Sequence, residues 1–433
     1  MRIQPEDSHI NDIKENVKVI FWNVAGIMNK GNDFWTFIEK FDVVNFLETW
    51  VEENTWKKIK GKLPRNWNWK CTYATRTCKK GRAKGGIITG IKKLFKEQEG
   101  GINTENIQER KLIIDESKWR IIAVYNPEGG EGVWQDLKHK LEDYEEENLL
   151  IGGDFNSRTG ILGTSKDGED MWVQRNSKDK TVNKQGRYLI KEIEDRGWYI
   201  LNGAIKGDEE GNFTYIGERG ETVIDYVIVN EFSKEWVEKM TVEPMTFSDH
   251  LPLCIETSCE KTEIRSHQKK LARIQIWNED AIKKYQERTE KEKFSETVNV
   301  NEIWKELEKA VSKSIETKEV KIGQHGITKQ KWWDRDCREK RREVNKKLRY
   351  AQKGVVDMEE YKVCRKDYKK LCITKKNKEK EDFLLEIKQI RKEADVWKHV
   401  KKLKGNKNQL SDDISMDKWR EHFIKLLQGS EER

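Results

Sequence analysis

Up to about residue 258 the chain alternates short apolar runs with amphipathic stretches, the pattern of strands interleaved with helices. The apolar runs predict strands at 17–24, 43–48, 72–75, 86–91, 112–115, 121–126, 149–156, 199–202, 213–216, 223–229 and 253–256. Helical spacing predicts helices at 33–41, 133–144 and 187–196, the last followed by Gly197. Strands outnumber helices and several are close enough to form hairpins. The expected fold class is therefore α/β, a four-layer α/β sandwich of two packed sheets flanked by helices, followed by a basic, mostly helical C-terminal arm. A strict alternating barrel would need more helices than the chain offers.

Beyond about Glu260 the pattern changes to helical spacing with long Lys/Arg/Glu runs and almost no strand signal. Met358, Tyr361, Cys364, Tyr368 and Leu371 recur at three and four residues, as do Phe383, Ile387, Ile390, Ala394, Trp397, Val400 and Leu403 before Gly405. Three segments result: 1–258, a linker with helical segments at 259–330, and a basic helical region at 331–433. Charge follows the same division. Residues 1–260 hold 38 Lys+Arg against 45 Asp+Glu, and residues 261–433 hold 47 against 32, so a net charge of +8 conceals an acidic first part and a strongly basic second. The basic part suits a polyanion, although a Lys/Glu-rich helix is as often simply solvated.

Seven cysteines (71, 78, 254, 259, 337, 364 and 372) are scattered, without paired CxxC spacing or a dense disulfide framework. They read as reduced thiols of the cytosol or nucleus. The first residues lack an apolar core of signal-peptide length and no stretch approaches 18 apolar residues, so neither secretion nor a membrane partner is expected.

Candidate chemistry gathers where predicted strands end. Trp22-Asn23 precedes Gly26, and Phe46-Leu47-Glu48 delivers a carboxylate at the end of an apolar run. Tyr125 ends another strand. In Leu149-Leu150-Ile151-Gly152-Gly153-Asp154-Phe155-Asn156, alternation would put Asp154 and Asn156 on one face, where they could share a water. Asp225 lies inside a β-rich run, where an isolated charge is costly without a partner, and His250 in Phe247-Ser248-Asp249-His250 is the evident partner. A carboxylate on one imidazole nitrogen fixes the tautomer and favours the cation, which suits stabilisation of a pentacoordinate phosphate. Adjacent Ser248, Asp249 and His250 cannot form a serine-protease relay. Taken singly, each motif also has an ordinary explanation: a turn, a surface carboxylate, a packing tyrosine or a capping Ser-Asp.

In this order, Asn23, Glu48, Tyr125, Gly153-Asp154-Phe155-Asn156, Ile224-Asp225-Tyr226 and Ser248-Asp249-His250 resemble the apurinic/apyrimidinic-endonuclease-like branch of the endonuclease/exonuclease/phosphatase superfamily, over residues 17–257. The chain is similar to the endonuclease region of non-LTR retrotransposon polyproteins, whose N-terminal domain nicks chromosomal DNA to prime reverse transcription. Arg175-Asn176-Ser177-Lys178-Asp179 with Asn183 and Gly186-Arg187 resembles the retroelement form of the segment after the Gly-Asp-Phe-Asn motif. The resemblance implies a nuclear, Mg²⁺-dependent DNA-nicking hydrolase, with Mn²⁺ as an alternative ion, leaving 5′-phosphate and 3′-hydroxyl ends. It assigns Asn23 and Glu48 to metal and phosphate, Asp249 to metal or water, and Tyr125 to the phosphate. It further implies that Asp154 and Asn156 orient the attacking water, and that Asp225 supports His250. Repair enzymes of the superfamily have an Asp two positions after the first Asn, where this chain has Ala25, so one acidic ligand is missing.

Lys79, Lys80, Arg82 and Lys84 in a basic glycine-rich loop, and Arg175, are candidate DNA contacts. That loop lacks the GxxxxGK[ST] order of a nucleotide-binding P-loop. Lys331-Trp332-Trp333-Asp334 and the basic residues after it resemble the linker preceding reverse transcriptase, with element RNA as a candidate partner. No Tyr/Phe-x-Asp-Asp polymerase signature occurs, so a truncated element or a fragment is expected. The alternatives are an inactive retroelement remnant that binds nucleic acid, and a phosphoesterase with a substrate other than DNA.

Overall fold

The computed structural model describes residues 15–61, 63–76, 81–141, 147–163, 175–261, 271–275, 277–292, 300–321 and 331–388. The chain divides into two compact units, residues 1–330 with 341–364, and residues 331–340 with 365–433. In chain order the elements are β1 (Glu15–Asn23), α1 (Asn32–Ile38), β2 (Val43–Leu47), α2 (Glu53–Lys60), β3 (Trp67–Thr72), β4 (Ile87–Lys92), β5 (Lys96–Gln98), β6 (Ile107–Ile114), β7 (Ser117–Tyr125), α3 (Gly132–Leu141), β8 (Asn148–Asp154), α4 (Lys184–Glu194), β9 (Tyr199–Ile200), β10 (Tyr215–Ile216), β11 (Glu221–Thr222), β12 (Asp225–Val229), α5 (Glu231–Lys234), β13 (Val237–Val242) and β14 (Leu253–Lys261). There follow β15 (Leu271–Gln275), α6 (Glu279–Glu290), α7 (Val300–Ser314), β16 (Thr317–Lys321), α8 (Arg335–Gln352) and α9 (Met358–Lys388).

Two six-stranded sheets carry the first unit, ordered β13-β14-β1-β2-β4-β3 and β5-β6-β7-β8-β12-β9. Side-chain alternation on their central strands produces the layers. On β1, Ile20 and Trp22 belong to a core shared with Phe34, Phe37 and Ile38 of α1, while Phe21 points the other way, towards Gly152 of the second sheet. On the second sheet, Leu149 and Ile151 of β8 and Ile228 of β12 pack with Trp134 and Leu137 of α3 and Leu189 and Ile193 of α4. Leu47, Ile87, Ala123 and Tyr125 form a smaller core cluster. The layers therefore run helix, sheet, sheet, helix, the expected four-layer sandwich. Full burial of each such aliphatic side chain contributes roughly 1.5–3 kcal/mol.

The strands that read as unbroken apolar runs are those buried on both faces, such as β2 and β12. Elsewhere polarity concealed structure. β6 and β7 form an eight-residue antiparallel ladder, longer than the stretches 112–115 and 121–126 expected. The cause is paired charge: Arg110 is fully buried with two 2.8 Å bonds to Glu97, and Arg120 bonds Glu109 at 2.5 Å. The edge strand β13 and the mostly exposed α2 were likewise not anticipated. The region beyond 260, expected to lack strands, contains the antiparallel pair β15–β16. On α9 the apolar stripe is present, with Tyr361 and Cys364 buried, whereas Ile387 is exposed and the positions from Ile390 to Leu403 lie outside the described residues. Among the described residues no helix is long and apolar enough to cross a membrane.

Candidate active site

Strand register brings the polar groups to one end of the sandwich. β1 and β2 run parallel with Asn23 opposite Leu47, so Glu48 emerges beside Asn23. In the other sheet Tyr125 of β7 is in register with Asp154 of β8, and Asp154 lies directly opposite Asp225 of the antiparallel β12. Gly153 makes the approach possible. Its φ is +148°, and a side chain there would collide with the carbonyl oxygen of Val124. The loop before β14 then returns His250 to the same end.

The central line is Asp225, His250, Asp154 and Asn23. His250 Nδ1 lies 3.0 Å from both carboxylate oxygens of Asp225, whose Oδ2 also accepts from Thr214 Oγ1 at 2.7 Å. His250 Nε2 is 3.8 Å from Asp154 Oδ2 and 3.4 Å from Asn23 Nδ2. Asp154 Oδ2 accepts from Asn23 Nδ2 at 2.9 Å, and Oδ1 from the Asn156 main-chain N–H at 3.1 Å. Burial by itself would lower the imidazole's pKa, but the Asp225 and Asp154 charges outweigh it and carry His250 up to about 9. Burial dominates at Asp154, pushing the carboxyl up to about 7 against the opposing pull of His250. Two adjoining groups are thus displaced in a direction that favours bound protons on each, as sites for proton transfer commonly are.

Glu48 stands close enough for its charge to raise the His250 pKa as well. Its Oε1 accepts from the Tyr125 hydroxyl and its Oε2 from Trp50 Nε1 at 3.1 Å. Burial, then the Glu48 carboxylate, raises the Tyr125 phenol well above its usual value, so it remains a donor. Among the described residues six non-glycine positions have left-handed backbone, and Ala25, Glu48, Trp50 and Asn156 are four of them. Such conformations cost of order 1–3 kcal/mol each and persist where the surroundings over-determine them.

Atoms of Asp154, Asp225 and His250 lie within 4.8 Å of one another, a set that could hold a metal ion. Both Asp225 oxygens face His250 and one also accepts from Thr214, whereas the oxygens of Asp154, of Glu48 and of the Asn23 amide each accept a single hydrogen bond and keep a lone pair that a cation could take. Oxygen donors of this kind fit a hard divalent cation.

The remaining anticipated residues are placed unevenly. Asn156 follows the end of β8 in left-handed backbone (φ +48°), so strand alternation with Asp154 does not apply. Its side-chain amide donates to Asn126 O at 3.0 Å, and it reaches Asp154 through the main chain. Asp249 is half-buried and its charge is felt by Lys30, whose ammonium burial draws down to about 7. Arg82 is exposed, with its guanidinium 4.1 Å over the Trp50 ring, and Lys84 is exposed on the same loop. Lys79 and Lys80 lie outside the described residues. Arg175 corrects the sequence reading: it is 4% exposed, donates to Asn202 O, Leu162 O and Thr159 Oγ1, and lies over Tyr226. Its guanidinium satisfies turning backbone inside the domain and has no surface to offer DNA. Sequence reasoning also missed Thr214, Trp22 and Trp50; an indole within two residues of each strand-end polar group, Trp22 before Asn23 and Trp50 after Glu48, was the available signal.

Residues 119–254 match the family described as endonuclease-reverse transcriptase. No curated protein matches the chain. Similar solved structures include the AP endonuclease LMAP from Leishmania major (16% identity, 56% of this chain and 88% of that one, TM-score 0.44). The endonuclease domain of TRAS1, a telomere-specific non-LTR retrotransposon, is another (16%, 57% and 100%, TM-score 0.41), as is the Xenopus laevis APE2 catalytic domain (16%, 58% and 94%, TM-score 0.43). The sequence match lies across β7, β8, β12 and the His250 loop, the segments that carry Tyr125, Asp154, Asp225 and His250.

Proposed function

We propose that the sandwich domain is a Mg²⁺-dependent endonuclease that nicks DNA, of the type carried by non-LTR retroelements, with Mn²⁺ able to replace Mg²⁺. The observation that carries the reading is the buried line Asp225–His250–Asp154 at the strand ends, with Glu48 and Tyr125 close to it. His250, tied to Asp225 and cationic below about pH 9, would donate to a phosphoryl oxygen and stabilise the charge that develops there. Asp154 is held by Asn23 and the Asn156 N–H and would take the proton of the attacking water. The new bond forms between that water oxygen and phosphorus while the bond from phosphorus to the 3′ oxygen breaks.

Glu48, with Asn23 and Asp249, would hold the cation, which when bound neutralises phosphate charge and polarises the scissile group. Tyr125 orients Glu48 through its hydroxyl. Arg82 and Lys84 would meet the DNA backbone beside this cleft. The decisive experiment is a supercoiled-plasmid nicking assay with Mg²⁺, with EDTA, and with Asp154→Ala and His250→Ala. Nicking should require the metal and fall by at least about 100-fold in each variant. Equal nicking by all three proteins, or nicking undiminished in EDTA, removes the reading.

A further inference from the structure

His250 is delivered by an irregular loop, residues 243–252 between β13 and β14, whose only sheet-type ties lie at its end, where His250 bridges Tyr215, the Ile216 N–H donates to Asp249 O at 2.9 Å and the Leu251 N–H to Thr214 O at 2.6 Å, leaving the stretch 244–248 that leads to it without a ladder. Ordering such backbone costs conformational entropy, so bonds from outside the stretch must fix it. Side chains of neighbouring strand and loop residues supply further ties: Trp22 Nε1 donates to His250 O at 2.9 Å, and Lys30 Nζ to Phe247 O at 2.6 Å. The Phe247 ring also stands edge-on to Phe34 at 5.5 Å and to Trp22 at 6.0 Å.

The remaining side is closed by the helical region that the sequence pattern assigned to a separate basic arm. Within the first unit, the Arg341 guanidinium lies 4.5 Å over the Phe247 ring and is ion-paired with Asp33 at the start of α1. Asn345 Oδ1 accepts from Thr246 Oγ1 at 2.7 Å. Gln352 Nε2 donates to Val242 O at 3.1 Å, and Lys178 Nζ to Gln352 O at 2.6 Å. Lys362 of α9 is paired with Glu221 at 2.6 Å. The Arg341 side chain is only 11% exposed, whereas its neighbour Arg342 is exposed. A helix serving only as a solvated polyanion-binding arm would have no need to direct one cation onto an aromatic ring and an aspartate.

We propose that α8 from Arg341 to Gln352 is a positioning element of the nuclease site, gripping Phe247 and Thr246 and thereby fixing the loop that brings His250 to Asp225. The kinetic part rests on the DNA-nicking reading; the structural part does not. The test uses the full chain with Asn345→Ala, the double variant Arg341→Ala/Asn345→Ala, Arg341→Lys, and the exposed control Arg342→Ala. In plasmid nicking the double variant should lose roughly tenfold in kcat, because small misplacements of a catalytic group are costly. KM for DNA should stay within about twofold, Arg341→Lys should recover part of the loss, and Arg342→Ala should leave kcat unchanged. Hydrogen exchange should quicken at the amides of 243–250 in the double variant and in Asn345→Ala, with β7 and β8 unaffected.

An unchanged kcat, a rise in KM without loss of kcat, or unaltered exchange in the loop overturns the proposal. Should the wild-type chain fail to nick DNA, the nuclease reading falls, while the exchange comparison still decides whether α8 holds the loop. Faster exchange throughout β7 and β8 in the double variant would make the helix a general support and overturn the positioning role.

Discussion

Replacing Asp225 with Asn removes one charge from the site and little else. The amide oxygen can still accept from Thr214, and the side chain keeps its length beside His250. Wild-type His250 titrates near 9 because the Asp225 and Asp154 charges overcome the burial that acts against them. A rise from the ordinary 6.5 to about 9 corresponds to roughly 3 kcal/mol favouring the imidazolium. Asp225 is the larger of the two electrostatic causes, so its loss should bring the imidazole to about 7 or below, since the burial remains. At pH 8 the wild-type ring would be about nine-tenths protonated and the variant ring roughly a tenth.

Initial nicking rates measured from pH 6 to 9.5 should show the alkaline limb near 9 in wild type and near 7 in Asp225→Asn. The rate deficit at pH 8 should be about tenfold and should narrow to roughly two- or threefold at pH 6. A folded pKa above the unfolded one means that this interaction stabilises the fold below about pH 6.5 and is lost as pH rises through about 9. Thermal melts of the two proteins should therefore differ at pH 6 and converge by pH 9.5. An alkaline limb at the same pH in both proteins would refute the assignment of the catalytic cation to His250.

Asp154 predicts a conflict between function and stability. Its folded pKa, raised by burial from 3.8 to about 7, gives a contribution present below about pH 4 and lost as pH rises through about 7. Asp154→Asn should consequently raise the melting temperature in EDTA at pH 8 by several degrees, on the order of 2 kcal/mol, with a smaller gain at pH 5. Differential scanning calorimetry checks this, and a lower melting temperature at pH 8 contradicts it. Gly153→Ala should separate β8 from β7 at the Val124 carbonyl and cost more than about 3 kcal/mol, read as loss of a cooperative circular-dichroism melt. A variant melting like wild type would show that the close approach at Gly153 is dispensable.

Much of the candidate site was legible because most of its residues sit where buried strands stop. β2, β8 and β12 are covered on both faces, so their apolar runs stand out, and a polar residue at the end of such a run is conspicuous. Asn23, Glu48 and Asp154 could be named on that ground; Asp225 was marked instead as a carboxylate inside a β-rich run, whose need of a partner pointed to His250. Composition likewise separated an acidic sandwich from a basic helical region.

Other features depended on residues distant in the chain meeting in space. Arg110 and Arg120 occupy strands only because Glu97 and Glu109 compensate their charge, and Arg175 is interior because carbonyls of Asn202 and Leu162 await a donor. Local patterning registers a cation as a surface residue and carries no record of such a partner. The same limit applies to Arg341 and Asn345, which follow His250 by some ninety residues in a basic helix yet pack on the loop that carries it. Periodicity and charge thus determined which segments form strands and where polar groups leave them, whereas the electrostatic pairing of buried charges and the bracing of the His250 loop were decided only by tertiary contact, because both arise from short-range forces between groups with no sequence proximity.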